Sequence, residues 1–163
     1  MKTIMISLTV LFTLMFMSTC SVEVVKNIQM DRNCVGYLKR AADANTVELA
    51  KSQVNIAVKY MEDNDLTKGF TSIIYNTPDE DIGFWYGNIK AAADELNTLK
   101  SDATQLEKSN VLMKLRETLL DGNRITCPSG IHKYPNNKLF ALLYIISSAL
   151  LATLGIIGFI KTI

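Results

Sequence analysis

Two long apolar segments bracket the chain, and a polar segment lies between them. Residues 4–17 contain no charge and follow Lys2, and residues 139–160 form a second run without a charge. At 1.5 Å per residue, a helix over the second run is about 33 Å long, which matches the hydrocarbon core of a bilayer. The sequence therefore predicts a transmembrane helix at residues 138–160 and a cell-membrane protein.

The first apolar run has the order of a targeting leader: a positive charge, a short apolar stretch, then small residues. The sequence predicts a leader over residues 1–20. It is either a signal peptide, cleaved after Cys20 or Ser21, or a lipoprotein signal that is acylated at Cys20. An uncleaved anchor is the third alternative. Each alternative places residues 21–136 outside the cytoplasm, and the two cleaved forms leave a single-pass protein with residues 161–163 inside.

The polar segment shows the periodicity of helices. Residues 34–62 contain no proline and have apolar and small residues at three-four spacing, which predicts a first helix. Thr77 precedes Pro78, and Glu80 follows three residues after the threonine, as in a capping box. Together with Gly122 as a stop signal, this pattern predicts a second helix at residues 78–121.

The second helix carries a heptad-like seam, in which apolar residues alternate three and four apart. The seam consists of Ile82, Trp85, Ile89, Ala92, Leu96, Leu99, Ala103 and Leu106. Two consecutive amphipathic helices joined by a short connection fold back on one another. The predicted fold is therefore all-α: an antiparallel, coiled-coil-like helical hairpin followed by a C-terminal transmembrane helix.

The charge of the polar segment constrains the partners. It carries 14 basic and 16 acidic residues, a net charge of −2, with no stripe of basic residues. This balance argues against nucleic acid as a partner. The remaining partners are the membrane itself and either a second copy of the chain or another membrane protein.

The three cysteines are Cys20, Cys34 and Cys127. If Cys20 is removed or acylated, the other two form an even pair in an oxidising compartment. Cys34 and Cys127 are then the candidate disulfide, and the alternative is two unpaired thiols.

Patterns of catalysis or metal binding are weak. His132 is the only histidine, and the sequence has no phosphate-binding glycine loop or zinc-protease motif. Asp63 begins a stretch that resembles a calcium-binding loop, but Lys68 lies where that loop needs glycine. The sequence therefore predicts no catalytic residue, no metal, no cofactor and no enzyme activity.

Aromatic residues gather around the connection between the two predicted helices. They are Phe70, Tyr75, Phe84, Trp85 and Tyr86. One interpretation is a hydrophobic cap that closes the end of the hairpin. The other is a partner-binding surface at the tip farthest from the membrane, because tryptophan and tyrosine anchor interfaces.

The sequence thus predicts a membrane-anchored helical hairpin with a non-enzymatic structural or interaction role. Two helices alone bury little apolar surface, which favours self-association into a larger bundle. A leader plus a C-terminal span also resembles the layout of single-chain phage spanins, which implies a lysis protein that bridges the inner and outer membranes. An accessory subunit of a membrane complex is a third hypothesis.

Overall fold

The computed structural model describes residues 2–160 of the chain, which are mostly helical. The helices are α1 (Lys2–Met30), a π-helical turn (Asp31–Val35), α2 (Gly36–Ala42), α3 (Val47–Asp63), α4 (Ile82–Thr98), α5 (Gln105–Leu119) and α6 (Asn137–Ile160). Short 3-10 turns cover Pro78–Glu80 and Ile131–Lys133, and strands β1 (Leu120–Asp121) and β2 (Arg124–Ile125) form a small hairpin. Met1 and the predicted inner tail, residues 161–163, lie outside the described residues.

The first apolar run is joined to the polar segment by one unbroken helix. Helix α1, the π-helical turn and α2 follow without a gap, and the flanking residues Met30 and Gly36 keep right-handed helical dihedrals. In the π turn the N–H of Gly36 donates to the carbonyl oxygen of Asp31. A Cβ on residue 36 would lie 2.9 Å from that oxygen, so the turn requires glycine. The helix therefore leaves the apolar segment and enters the polar domain as a single rod.

The predicted first helix, residues 34–62, is two helices rather than one. Helix α2 ends at Ala42, and α3 begins after Thr46, whose extended backbone and side chain cap the new helix. The Thr46 hydroxyl accepts from the N–H of Leu49 at 3.3 Å. Such a side-chain acceptor offers the backbone an alternative to continuing the helix.

The predicted second helix, residues 78–121, is also divided. Its predicted capping box forms only a 3-10 turn, and α4 begins one residue later, where Asp81 accepts from the N–H of Phe84 at 3.1 Å. Helix α4 ends at Thr98. Helix α5 then starts with a complete capping box, in which Thr104 and Glu107 satisfy each other's backbone N–H groups. The Glu107 carboxylate accepts hydrogen bonds from the Thr104 amide and the Thr104 hydroxyl. These bonds, of which that from the amide has the larger effect, hold the pKa of Glu107 below its usual value.

Helices α2 to α5 pack around a common core in alternating directions. Tyr86 donates to Glu62 at 2.7 Å at one end of the α3–α4 pair, and Asn55 and Asn97 exchange hydrogen bonds toward the other end. Helix α5 returns beside α4, where Lys114 contacts Glu95 at 2.6 Å, and it also packs against α2. Four short helices from one chain therefore cover one another's apolar faces.

Only the first part of the predicted seam is buried in the core. Ile82, Trp85, Ile89, Ala92 and Leu96 are buried between α4 and its neighbours. Leu106 is 71% exposed, because the chain leaves α4 at Thr98 and α5 starts with a different orientation. The other buried apolar residues of the bundle include Leu38, Ala50, Val54, Ala57, Met61, Leu115 and Leu119.

Helices α1 and α6 pack side by side in opposite directions. The rings of Phe16 and Tyr144 lie 5.3 Å apart, and Glu23 pairs with Lys133 just before α6 begins. Small polar side chains on the two helices, Thr19 and Ser147, are buried. Both helices are long and apolar enough to cross a membrane.

The position of the α5 capping box can be tested by removing the threonine. We expect T104A to reduce the free energy of unfolding by about 1 kcal/mol, because the N–H of Glu107 loses its acceptor. T77A is the matched control, since the Thr77 hydroxyl bonds the Glu80 carboxylate and caps no helix N–H. Thermal unfolding in detergent measures both variants. Equal losses in T104A and T77A would show that the helix start assigned to Thr104 is wrong.

Candidate functional site

The bundle meets the two apolar helices at a polar junction. Lys133 lies in the segment before α6 and contacts the Glu23 carboxylate at 2.6 Å. One turn further along α1, the Lys26 ammonium lies 5.6 Å from the ring centre of Phe140. The junction therefore marks the level at which the uncharged surfaces of α1 and α6 give way to charged residues.

The connection between α3 and α4 folds against this junction. Its two ends pair through the backbone. The N–H of Thr71 donates to the carbonyl oxygen of Glu80 at 3.0 Å, and the N–H of Ile82 donates to the carbonyl oxygen of Gly69 at 2.9 Å. Gly69 has a φ of +100°, and a Cβ there would overlap the Tyr134 hydroxyl. The prediction that this connection lies far from the apolar helices is wrong, because α3 runs back toward them.

A groove of about 610 Å³ lies between this connection, the segment before α6, and the first turns of α6. Its polar lining residues include Glu23, Ser72, Glu80 and Lys133, and its apolar ones include Ile73, Phe140, Ala141, Tyr144 and Ile145. The buried oxygens Oγ1 of Thr71 and Oδ1 of Asn137 have no hydrogen-bond partner among the described residues. The groove is therefore amphipathic, and its lining includes the two residues with unpaired buried oxygens.

His132, the single histidine, lies beside the ion pair but is not part of it. Its Nε2 atom is 3.8 Å from the Glu23 carboxylate, too far for a hydrogen bond. Burial, and after it the neighbouring charge of Lys133, lowers the pKa of His132. Both effects favour the neutral imidazole over its charged form.

The five aromatic candidates separate into buried and exposed residues. Trp85 is 7% exposed, and its Nε1 donates to the carbonyl oxygen of Thr126 at 2.6 Å. Tyr86 packs partly against the core, and burial together with the bond to Glu62 raises its pKa to about 12. In contrast, Phe70, Tyr75 and Phe84 are exposed.

Phe84 and Tyr75 are the two most exposed aromatic candidates. Phe84 is 68% exposed and borders a second groove, of about 440 Å³, at the start of α4. That groove is lined by Pro78, Asp79, Asp81, Trp85, Asn88, Ile89, Thr118, Asp121, Thr126, Cys127 and Pro128. Tyr75 is 77% exposed on the connection between α3 and α4, and it lines neither groove.

All three cysteines are free thiols. Cys34 is buried and Cys127 packs against the same core. Burial raises the pKa of both thiols, that of Cys127 to about 12, and the nearby Cys127 further raises the pKa of Cys34. The fold therefore brings the two candidate disulfide partners near each other, and burial favours the protonated form of both thiols. Cys20, the lipidation candidate, lies within the unbroken helix α1.

Within residues 2–160, no group of three or more His, Cys, Asp or Glu side chains is arranged to hold a metal ion. The two grooves present exposed apolar side chains next to carboxylates, an ammonium and unpaired oxygens.

The junction residues were not identified from the sequence. Glu23 and Lys133 are 110 positions apart, and neither belongs to a motif. The unbroken run of uncharged residues from Phe70 to Thr77 was visible, but its place beside α6 depends on the direction of α3.

Comparison of the chain with protein-family models, with curated proteins and with solved structures finds no match.

The Cys34–Cys127 disulfide stays a prediction. We expect a disulfide oxidant of an extracytoplasmic compartment to accept two electrons and two protons from these thiols, and the bond to stabilise the bundle by about 2–4 kcal/mol. A non-reducing digest of protein from native membranes should contain the joined peptide. C127S should lose it, and C20S should keep it. Free thiols at both positions in the native protein would contradict the prediction.

Proposed function

We propose that the chain is a membrane protein with two spans, α1 and α6, which hold a four-helix bundle outside the cytoplasm in a non-enzymatic interaction role. The unbroken helix from α1 through α2, packed along α6, is the observation that carries this proposal. It replaces the predicted leader and single span with the third sequence alternative, an uncleaved anchor.

The contacts of α1 support its retention in the mature protein. Residues 3–22 carry no charge, and at 1.5 Å per residue they extend about 30 Å, the thickness of a hydrocarbon core. Cleavage near Cys20 would remove Phe16 from its contact with Tyr144. It would also remove the buried Thr19. Small polar residues such as these are typical of helix contacts inside membranes.

The charges that flank the two spans do not favour one side of the membrane. Lys2 and Lys161 lie beyond the outer ends of the uncharged runs, whereas Lys26, Lys133 and Lys138 flank the ends that face the bundle. The extracytoplasmic position of the bundle in this proposal rests on the targeting order of the N-terminal run: a positive charge, an apolar stretch, then small residues.

The same packing favours one membrane over two. A spanin-like bridge needs its apolar segments at opposite ends of an extended structure. Here α1 and α6 lie side by side, and α2 to α5 fold over one end of the pair. In this proposal, α3 and α4 are the antiparallel pair that replaces the predicted hairpin. They form one half of a single-chain bundle.

The groove at Phe84 is the part of the bundle that suits a protein partner. An aromatic ring that is 68% exposed lies beside Asp79, Asp81 and Asp121. Such a surface fits an apolar anchor flanked by basic residues. The bundle needs self-association less than the predicted two-helix hairpin does. Four helices of one chain already cover the apolar faces that a two-helix hairpin leaves open.

Reporters at both ends of the chain test the topology. We expect tags on the N- and C-termini of the full chain to be protected from external protease in spheroplasts. A protease site inserted at residues 100–102, in the connection between α4 and α5, should be cut. The intact mass should include residues 1–20. A mature protein that starts at Cys20, Ser21 or Val22, or an N-terminal tag outside the cell, would contradict the two-span proposal.

The interaction role is tested by crosslinking in native membranes. We expect F84S to lose the principal crosslinked species of the wild-type protein, because the exposed ring is the proposed anchor. L106S is the matched control, since Leu106 is equally exposed but lies at the start of α5, away from the groove. Both variants should keep wild-type helicity. The same crosslinked species in F84S and wild type would show that the groove at Phe84 is not the interaction surface.

A further inference from the structure

The connection between α3 and α4 carries an exposed apolar segment, which we call the apolar loop, residues 72–77. Ile73 is 51% exposed, Ile74 78% and Tyr75 77%. No charged residue occurs between Phe70 and Thr77. A projecting stretch of this composition is unusual for a loop in water, where exposed apolar side chains are normally scattered.

The loop is held in place by its base. Phe70 and Asp81 pair as an isolated antiparallel bridge, which consists of the backbone bonds from Thr71 to Glu80 and from Ile82 to Gly69. The close approach of Gly69 to Tyr134 fixes this base against the segment before α6. The two ends of the apolar loop are therefore held beside the segment before α6, and its apolar side chains are exposed between them.

That position is beside the first turns of α6. Ile73 lines the same groove as Phe140, Tyr144 and Ile145. The uncharged run of α6 starts at Leu139, so Ile145 is about 9 Å further along the helix at 1.5 Å per residue. Interfacial protein segments bury their apolar faces to a depth of about 5–10 Å in a bilayer. The loop lies at the level where a membrane crossed by α6 would have its headgroups.

We propose that the apolar loop inserts Ile73, Ile74 and Tyr75 into the headgroup region of the same bilayer that α1 and α6 cross. This inference rests on the proposed two-span function. The occupant is lipid, because the loop continues the apolar surface of α6 sideways from the point where that surface begins. Tyrosine suits this depth, since its ring is apolar and its hydroxyl reaches the polar layer. The loop is then a third membrane contact, which fixes the tilt of the bundle on the surface.

Quenching by brominated lipid tests the insertion. The full chain is reconstituted in phosphatidylcholine nanodiscs, with bromine either at a shallow or at a deep position of the acyl chains. Three single reporters are compared: I74W in the apolar loop, I156W in α6 and L106W at the start of α5. All three native side chains are exposed, and the signal of the buried native Trp85 is subtracted with the parent protein.

We expect I74W to emit at shorter wavelength than L106W and to lose more fluorescence with shallow than with deep bromines. I156W should be quenched and L106W should not. If I156W is quenched and I74W behaves like L106W, the loop inference is overturned, and the membrane position of α6 is still supported. If neither I74W nor I156W is quenched, the two-span proposal fails and the loop inference fails with it.

Each reporter must keep the helicity and thermal midpoint of the parent protein. A second measurement avoids a reporter in the loop altogether. I73S/I74S should raise protease cutting within residues 72–77 in nanodiscs, relative to L106S, because the polar loop leaves the bilayer. Equal protection of the parent and the double variant would also overturn the inference.

Discussion

The unbroken helix from α1 through α2 is the constraint on which the rest of the structure depends. A continuous helix has one direction, so the way it leaves its contact with α6 sets the axis of the bundle. Helix α3 must then run back toward the apolar pair, α4 away from it and α5 back again. This order returns the chain to α6 beside α1. The Gly36 π turn is the only adjustment within the rod among the described residues, and it needs a residue without a Cβ because the Asp31 carbonyl is too close for one.

The junction follows from the same geometry. Because α3 and α5 both end near the apolar pair, the α3–α4 connection and the segment before α6 meet there. Lys133 pairs with Glu23 on α1, and Tyr134 covers Gly69 at the base of the apolar loop. The ion pair is partly exposed, so it orients the two segments more than it stabilises them. The buried, unpaired oxygens of Thr71 and Asn137 show that this junction is less completely packed than the bundle core, where the side chains are apolar.

The sequence predicts the apolar helices and the buried face of α4 because these depend on local patterns of apolar residues. The uncharged run of α6 and the three-four spacing from Ile82 to Leu96 are visible without knowledge of the fold. The helix breaks were missed because capping signals compete: Thr77 with Glu80 matches the capping box, yet Asp81 starts α4, while Thr104 and Glu107 form the real box inside the predicted helix. The junction could not be predicted, since the break after Ala42 makes α3 run back toward the apolar pair and moves the α3–α4 connection to the other end of the bundle.

The direction of α3 decides whether the apolar loop lies beside α6 or at the far end of the bundle. In a hairpin standing on a membrane, Ile73, Ile74 and Tyr75 would project into water at the far end, and only a partner or a second copy could cover them. In the bundle they project beside α6. Moving one large apolar side chain from water into an apolar environment contributes about 1.5–3 kcal/mol, so water exposure of all three would oppose their placement on a loop with a fixed base. The base of the loop is fixed by backbone hydrogen bonds between residues 69–71 and 80–82. In the proposed arrangement, the bilayer that α1 and α6 cross covers these side chains at the level of the first turns of α6.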